Sequence, residues 1–515
     1  MFTRHSRIFS FMKKIFLRFL DVVERLGNRL PDPTTLFLIA AAVVVLASWI
    51  LSAANTTVVH PGTKETISVV NLLSADGLRR MVTDAVKNFT DFPPLGLVLV
   101  TMIGISVAER SGLITAALRV TVLSVPRWLV TSAVVFAGVN SSLAADAGYI
   151  VLIPLGAAIF HAVGRHPLAG LSAAFAGVAG GFSANLSITS LDPLLAGITD
   201  TGARLIDPSF AMNVAGNWYF MIVSTFLLTA IGSVVCEKIV EPRLGEWKST
   251  VLTGPDEMQR HISHTEKRAL LLSLLSFIIG IGVVALVSVP DGALLRDAAG
   301  TLKPLEKSIV PILMLLFLVS GIVYAVATKT ARSDKDIATM ASDGLGTLGS
   351  YIVLSFVMAQ FISYFAWSNM GVVVAVRGAE FLQGLHLDGP ILMAAFVIVA
   401  AVINLLIASA SAKWAVMAPV FVPMFMLLGI HPAATQLAFR IGDSSTNMIA
   451  PLLSYIPLIL VAMQRYTKSA SLGTMLSLMI PYSISFIIVW TLFMLAWIYL
   501  GIPLGPDTQV AIPIP

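Results

Sequence analysis

Charge is scarce in this sequence. Only 12% of its 515 residues are Asp, Glu, Lys or Arg, while 57% are hydrophobic; an ordinary soluble chain carries roughly 25% charged residues. That balance excludes a soluble globular protein and implies an all-α polytopic membrane protein, since apolar runs of about 20 residues are what a bilayer-crossing helix needs. Cysteine is nearly missing too. The single Cys236 excludes an internal disulfide, and no CxxC pair or Cys/His cluster is there to hold zinc. HExxH, a nucleotide-binding loop and GxSxG are all absent, so ATP-driven transport and common hydrolase chemistry lack the residues to run them. The net charge of +5 is spread over loops. It is topological and gives no sign of nucleic-acid binding.

What charge there is marks the membrane faces. Arg4, Arg7, Lys13, Lys14 and Arg18 crowd the N-terminus, which the positive-inside rule puts in the cytoplasm. Residues 1–32 form a cytoplasmic segment whose stretch Ile8–Leu20 suits a basic amphipathic helix on the membrane surface. Its apolar run is interrupted by charge and has no small-residue cleavage site, so it is expected to be retained. Spans are expected at Pro33–Ala53, Pro94–Val107, Trp128–Ala144, Trp218–Val235, Leu270–Val289, Ser308–Ala327, Leu345–Trp367 and Leu476–Leu500. Residues 241–268 are a basic cytoplasmic linker between a first membrane repeat (33–240) and a second (269–515). The expected home is a bacterial-type inner membrane, with the C-terminus outside.

Two zones break this regular pattern, and they resemble each other. Asn140 and Asn404 are 264 apart, Pro154 and Pro419 265, Pro167 and Pro432 265, and Phe175 and Phe439 264. Gly164-Arg165-His166-Pro167 is matched by Gly429-Ile430-His431-Pro432. Helices interrupted at matching positions in two halves are the best sequence pointer to a secondary transporter's binding site. They are read here as two re-entrant hairpins, at about 147–185 and 409–441, in an inverted repeat.

The polar residues at the breaks supply the candidate site. Ser183, Asn185, Ser187 and Thr189 in the first half answer Ser444, Ser445, Thr446 and Asn447 in the second. Side-chain oxygens beside unwound backbone suit a sodium ion, and Asn140 and Asn404 are plausible further ligands. The same residues also suit plain capping of free backbone groups. Asp146, Asp192 and Asp443 are ionisable groups at membrane depth, where such groups mark ion or substrate pathways. Arg440 and Asp443, three apart, would share a helix face and either neutralise each other or leave the guanidinium for a substrate carboxylate. Gly442 and Pro451 are expected to interrupt the helix around them. Trp414 either anchors an interface or stacks on an aromatic ligand. His166 and His431 are expected to cap helices.

Several strings together give the chain its resemblance: Glu24-Arg25-Leu26-Gly27-Asn28, Leu168-Ala169-Gly170 after the first His-Pro, Asp192-Pro193-Leu194-Leu195-Ala196-Gly197, Ser409-Ala410-Ser411-Ala412-Lys413-Trp414-Ala415 and Arg440-Ile441-Gly442-Asp443-Ser444. With these it resembles the p-aminobenzoyl-glutamate transporter (AbgT) family of the ion transporter superfamily. That resemblance implies a homodimer whose protomers have about nine transmembrane helices, two re-entrant hairpins, an inner core and an outer dimerisation frame. It implies functional positions at Asp192, Ser411, Trp414, Pro432, Arg440, Asp443 and Pro451, with Asn404 near the ion site. Lys413 receives no role. The expected function is cation-coupled export of p-aminobenzoyl-glutamate, p-aminobenzoate and sulfonamide antimetabolites, using sodium or protons and no organic cofactor. A sodium-coupled dicarboxylate importer, a passive channel and an intramembrane enzyme with an Asp192–Asp443 dyad are the rival expectations. In the expected arrangement Asp443 and Asp192 handle coupling charge, Arg440 the anionic group and Trp414 the ring.

Overall fold

Apolar sequence long enough to cross a bilayer becomes helix almost everywhere, because lipid offers backbone groups no partners. The computed structural model describes residues 31–59, 64–123, 125–144, 148–247, 263–298, 300–386, 388–407 and 409–512. The amphipathic segment expected at the N-terminus, Asp146 and the middle of the basic linker lie outside them. Unbroken crossing helices are α1 (Pro33–Ala53), α2 (Pro93–Arg110), α7 (Trp218–Leu244), α8 (His264–Leu286), α9 (Ile309–Thr328), α10 (Gly349–Trp367) and α15 (Leu472–Tyr499). Between them lie the shorter pieces α3 (Val130–Asn140), α4 (Gly148–Ala162), α5 (Pro167–Gly180) and α6 (Leu191–Ala203), then α11 (Gly389–Leu406), which is long and apolar enough to cross, and the shorter α12 (Ala410–Met426), α13 (Pro432–Asn447) and α14 (Ile456–Gln464).

Hydrogen bonds place these pieces by face. Helix α7, about 40 Å long at 1.5 Å per residue, is the ruler. Its start meets the chain after α15, through the Phe220 N–H on the Leu504 carbonyl at 3.2 Å. Near its far end, Glu237 accepts from Thr131 at 2.7 Å and Glu241 from Arg165 at 2.9 and 2.5 Å. So α3 begins and α4 ends at that far face. The opposite end of α3 lies deep inside, where Asn140 accepts from the Leu186 N–H at 3.2 Å. The chain therefore enters along α3 and returns along α4 without crossing.

The second half does the same from the other face. His431 N–H donates to Val510 O and Ile512 N–H to Gly429 O, both at 2.9 Å, so α12 ends beside residues 510–512. Val397 and Asn404 of α11 sit against Gly442 and Asn447 of α13. Helices α11 and α13 therefore run in the same direction, and α11 starts at the face where α13 starts. Helices α5–α6 and α13–α14, by contrast, are broken helices that traverse: the chain after α6 brings Phe210 to His431 at 5.7 Å, and the chain after α14 brings Tyr466 to His161 at 6.0 Å. Seven unbroken and two broken traverses make nine among the described residues, with two re-entrant hairpins.

The hairpin bounds differ from those expected. The re-entrant units are α3–α4 and α11–α12, not 147–185 and 409–441. The Gly-x-His-Pro strings taken as part of the hairpins are surface turns. In each, a glycine with positive φ (Gly164 at 80°, Gly429 at 77°) ends one helix, and the histidine Nδ1 accepts from a first-turn N–H of the next. Proline then takes the first helical position, where no donor is needed. The two turns lie at opposite ends of α7, so the hairpins face opposite ways.

Gly442 does not interrupt its helix either. It lies inside the continuous α13, and a Cβ built there would come within 2.4 Å of the Val397 carbonyl oxygen. Its smallness lets α11 approach α13 at backbone distance. Gly442→Ala is expected to lower the melting temperature of the purified protein by forcing these helices apart, at a cost of about 1–3 kcal/mol for an overpacked core. An unchanged melt would show that the contact is slack. Two short helices, Ala75–Thr83 and Ala85–Thr90, precede α2, and the expected span from Leu345 begins instead at Gly349 after a separate helix, Asp334–Gly346.

Candidate functional site

Both hairpin ends and both helix breaks converge on one cavity of about 670 Å³. Ser142 and Tyr149 reach it from the first hairpin, Ser409 and Ser411 from the second, and Ser190, Asn447 and Tyr455 from the breaks. Met102 and Tyr351 face them from the surrounding helices, and the cavity extends to Pro31 and Pro33 at the start of α1. Tyr149 and Tyr455 stack with ring centroids 4.1 Å apart. A hydroxyl-rich, aromatic-walled chamber of this size holds a small organic molecule and fixes it by a few polar contacts. The two breaks touch directly, since the Ser183 N–H donates to Ser444 Oγ at 3.2 Å.

Behind the cavity lie two buried ion pairs, and neither is the pair expected. Arg440 does not neutralise Asp443. Its Nη2 donates to Asp192 Oδ1 at 2.7 Å, joining α13 to the start of α6, and the arginine is only 2% exposed. Asp192 is further held by Thr189, whose N–H and Oγ donate to Oδ2 at 2.7 and 3.0 Å. Asp443 pairs instead with Lys413, to which no role was given. The Lys413 ammonium also donates to Asn404 Oδ1. Spacing along one helix suggested a shared face, but both real partners come from other segments. Each aspartate is thus committed to a different cation, and an acid–base dyad is not formed.

Trp414 does not face the cavity. It is fully buried, stacked on Phe439 at 4.6 Å, with its indole N–H donating to Thr199 Oγ1 at 2.9 Å. Gln436 donates to the same hydroxyl at 2.8 Å and accepts from Asn217 at 2.7 Å, so a polar chain missed in the sequence ties α12, α6, α13 and α7 together. Only its placement on four separate segments identifies it. Pro432 opens α13, and Pro451 lies in the second break, between α13 and α14. Ser411 lines the cavity.

The expected sodium ligands are mostly engaged with one another. Asn404 Nδ2 donates to Asp443 O at 2.7 Å and to Thr446 Oγ1 and Asn447 Oδ1 at 2.9 Å. Asn185 Oδ1 accepts from Ser142 at 2.7 Å. Ser183 Oγ and Ser445 Oγ are buried with no hydrogen-bond partner among the described residues. With Asn404 Oδ1 and Asp443 Oδ1 both against an ammonium, a sodium ion does not fit between them.

Comparison with known proteins follows the same lines. Residues 18–512 match the model of the AbgT putative transporter family. The p-aminobenzoyl-glutamate transport protein of Escherichia coli (strain K12) is 39% identical over 487 residues, covering 94% of this chain and 95% of that protein. The solved YdaH transporter of Alcanivorax borkumensis, noted for an unusual topology, superposes with a TM-score of 0.88 at 40% identity, over 92% of this chain and 100% of its own. MtrF of Neisseria gonorrhoeae, which illuminates a class of antimetabolite efflux pumps, does so with 0.91 at 44%, over 95% and 100%.

Proposed function

Since the chain belongs to the AbgT family of membrane transporters and not to any enzyme family, we propose that it exports small aromatic carboxylates of the p-aminobenzoyl-glutamate and p-aminobenzoate type, together with sulfonamide antimetabolites, against their gradient at the expense of a cation gradient. One observation carries this proposal: the cavity between the two hairpin ends, with tyrosine rings for an aromatic body and Ser409, Ser411 and Asn447 for its polar groups. It reaches the Pro33 end of α1. Arg110, Arg119, Arg243 and Lys267 end or join helices on that side, which the positive-inside rule makes cytoplasmic. A chamber open to the cytoplasm is the loading state of an exporter. In this proposal the driving cation is sodium or a proton, and the protein works as a homodimer of the inner membrane. The apolar face of α8, with Leu271, Leu274 and Ile278 exposed, belongs to the outer frame.

The test is drug flux in proteoliposomes with sodium and pH gradients imposed separately. Wild-type protein is expected to move sulfonamide against its own gradient when at least one of the two cation gradients is imposed, and Asp443→Ala to abolish that flux. Undiminished flux in the variant removes Asp443 from the mechanism. Succinate uptake without sulfonamide flux overturns the substrate assignment.

A further inference from the structure

The second hairpin carries its own cation. Lys413 lies in the first turn of α12, yet its side chain is 0% exposed and its ammonium sits against Asn404 Oδ1 and Asp443 Oδ1. The amide of Asn404 cannot turn away. Its Nδ2 is held by Asp443 O, Thr446 Oγ1 and Asn447 Oδ1, so its oxygen is fixed toward the lysine, the orientation a cation requires. A carboxylate oxygen and a locked amide oxygen beside a helix start are what a monovalent metal ion would seek. Here one positive charge already neutralises the one carboxylate. A second would be a like charge without a counter-charge in a buried setting, which is strongly disfavoured.

We propose that Lys413 is a tethered substitute for a coupling metal ion: it fills the Asn404–Asp443 position, keeps sodium out of it, and thereby sets the cation specificity of this half of the site. Shortening Lys413 leaves Asp443 unpaired and exposes a sodium position built from Asn404, Asp443 and neighbouring oxygens. The proposal takes its physiological meaning from the transporter assignment, but its test reads ion binding and not flux, so either can fail without the other.

The experiment is thermal unfolding of the purified full-length protein, and direct binding of radioactive sodium, in sodium, potassium or choline chloride at equal ionic strength. Wild type is expected to show no sodium stabilisation that depends on Asp443, so that wild type and Asp443→Asn respond alike to the three salts. Lys413→Ala is expected to melt lower in choline and to recover with sodium, as linkage requires of a ligand bound only by the folded state, with sodium bound about tenfold or more tighter than by wild type. Lys413→Ala/Asp443→Asn, lacking both charges, is expected to respond to sodium no more than wild type does. Sodium stabilisation of wild type that disappears in Asp443→Asn overturns the proposal. So does a folded Lys413→Ala protein indifferent to sodium. If Lys413→Ala does not fold, the wild-type comparison still decides.

Discussion

Asp192→Ala is expected to cost about 3–5 kcal/mol of stability, the usual penalty for stripping one partner from a buried ion pair. The reason is geometric. Arg440 is 2% exposed and its Nε has no hydrogen-bond partner among the described residues, so Asp192 supplies the countercharge and one of the few acceptors it has there. Without the carboxylate the guanidinium stays inside uncompensated. Arg440→Met alone is expected to cost similarly, because it leaves Asp192 held by Thr189 but without a cation. The double variant should recover much of the loss, since replacing both charges by apolar groups is often close to neutral. Thermal melts of the four proteins in one detergent complete the cycle. Additive losses would mean that the two side chains are solvated separately and that the contact contributes nothing.

Trp414→Ala is the second large effect, with about 3–5 kcal/mol expected for emptying a buried aromatic site. The indole is packed on Phe439 and donates to Thr199, which also accepts from Gln436. Loss of the ring therefore loosens α12 against α6 and α13 together. Trp414→Phe keeps the stack and removes only the N–H, and should cost about 1 kcal/mol, a typical net hydrogen bond. These outcomes separate two roles for the residue. If the tryptophan instead met substrate, Trp414→Phe would weaken substrate binding while leaving the melt unchanged, and Trp414→Ala would melt near wild type.

The membrane class, most spans and the two irregular zones were legible in the residues because they depend on local composition, although Trp128–Ala144, expected to span, is the arm of a hairpin that does not cross. The constant offset from Asn140/Asn404 to Phe175/Phe439 located both irregular zones, and each holds a re-entrant unit and a broken helix. Depth was not legible. Glycine and proline interrupt a helix equally at a surface turn and inside the bilayer, so the residue pattern alone places the Gly164 and Gly429 turns within the hairpins. Partners distant in sequence were hidden for the same reason. Arg440 and Asp192 are 248 residues apart, and nothing in the spacing of Arg440 and Asp443 shows that each faces another segment. Lys413 stood in an apolar run where an isolated lysine carries no periodic signal. Only the fold reveals the oxygen atoms around its ammonium.

The strap that residues 510–512 lay across the Gly429 turn bears on how the molecule is made. During translation the second hairpin leaves the ribosome well before the strand that clasps it, with α13, α14 and α15 still to be inserted. On the proposed orientation, its turn waits, unclasped, until the final segment has been released into the opposite compartment. Assembly of the second half thus finishes from the far side of the bilayer, and a chain cut short after α15 would hold every crossing helix yet lack the clasp.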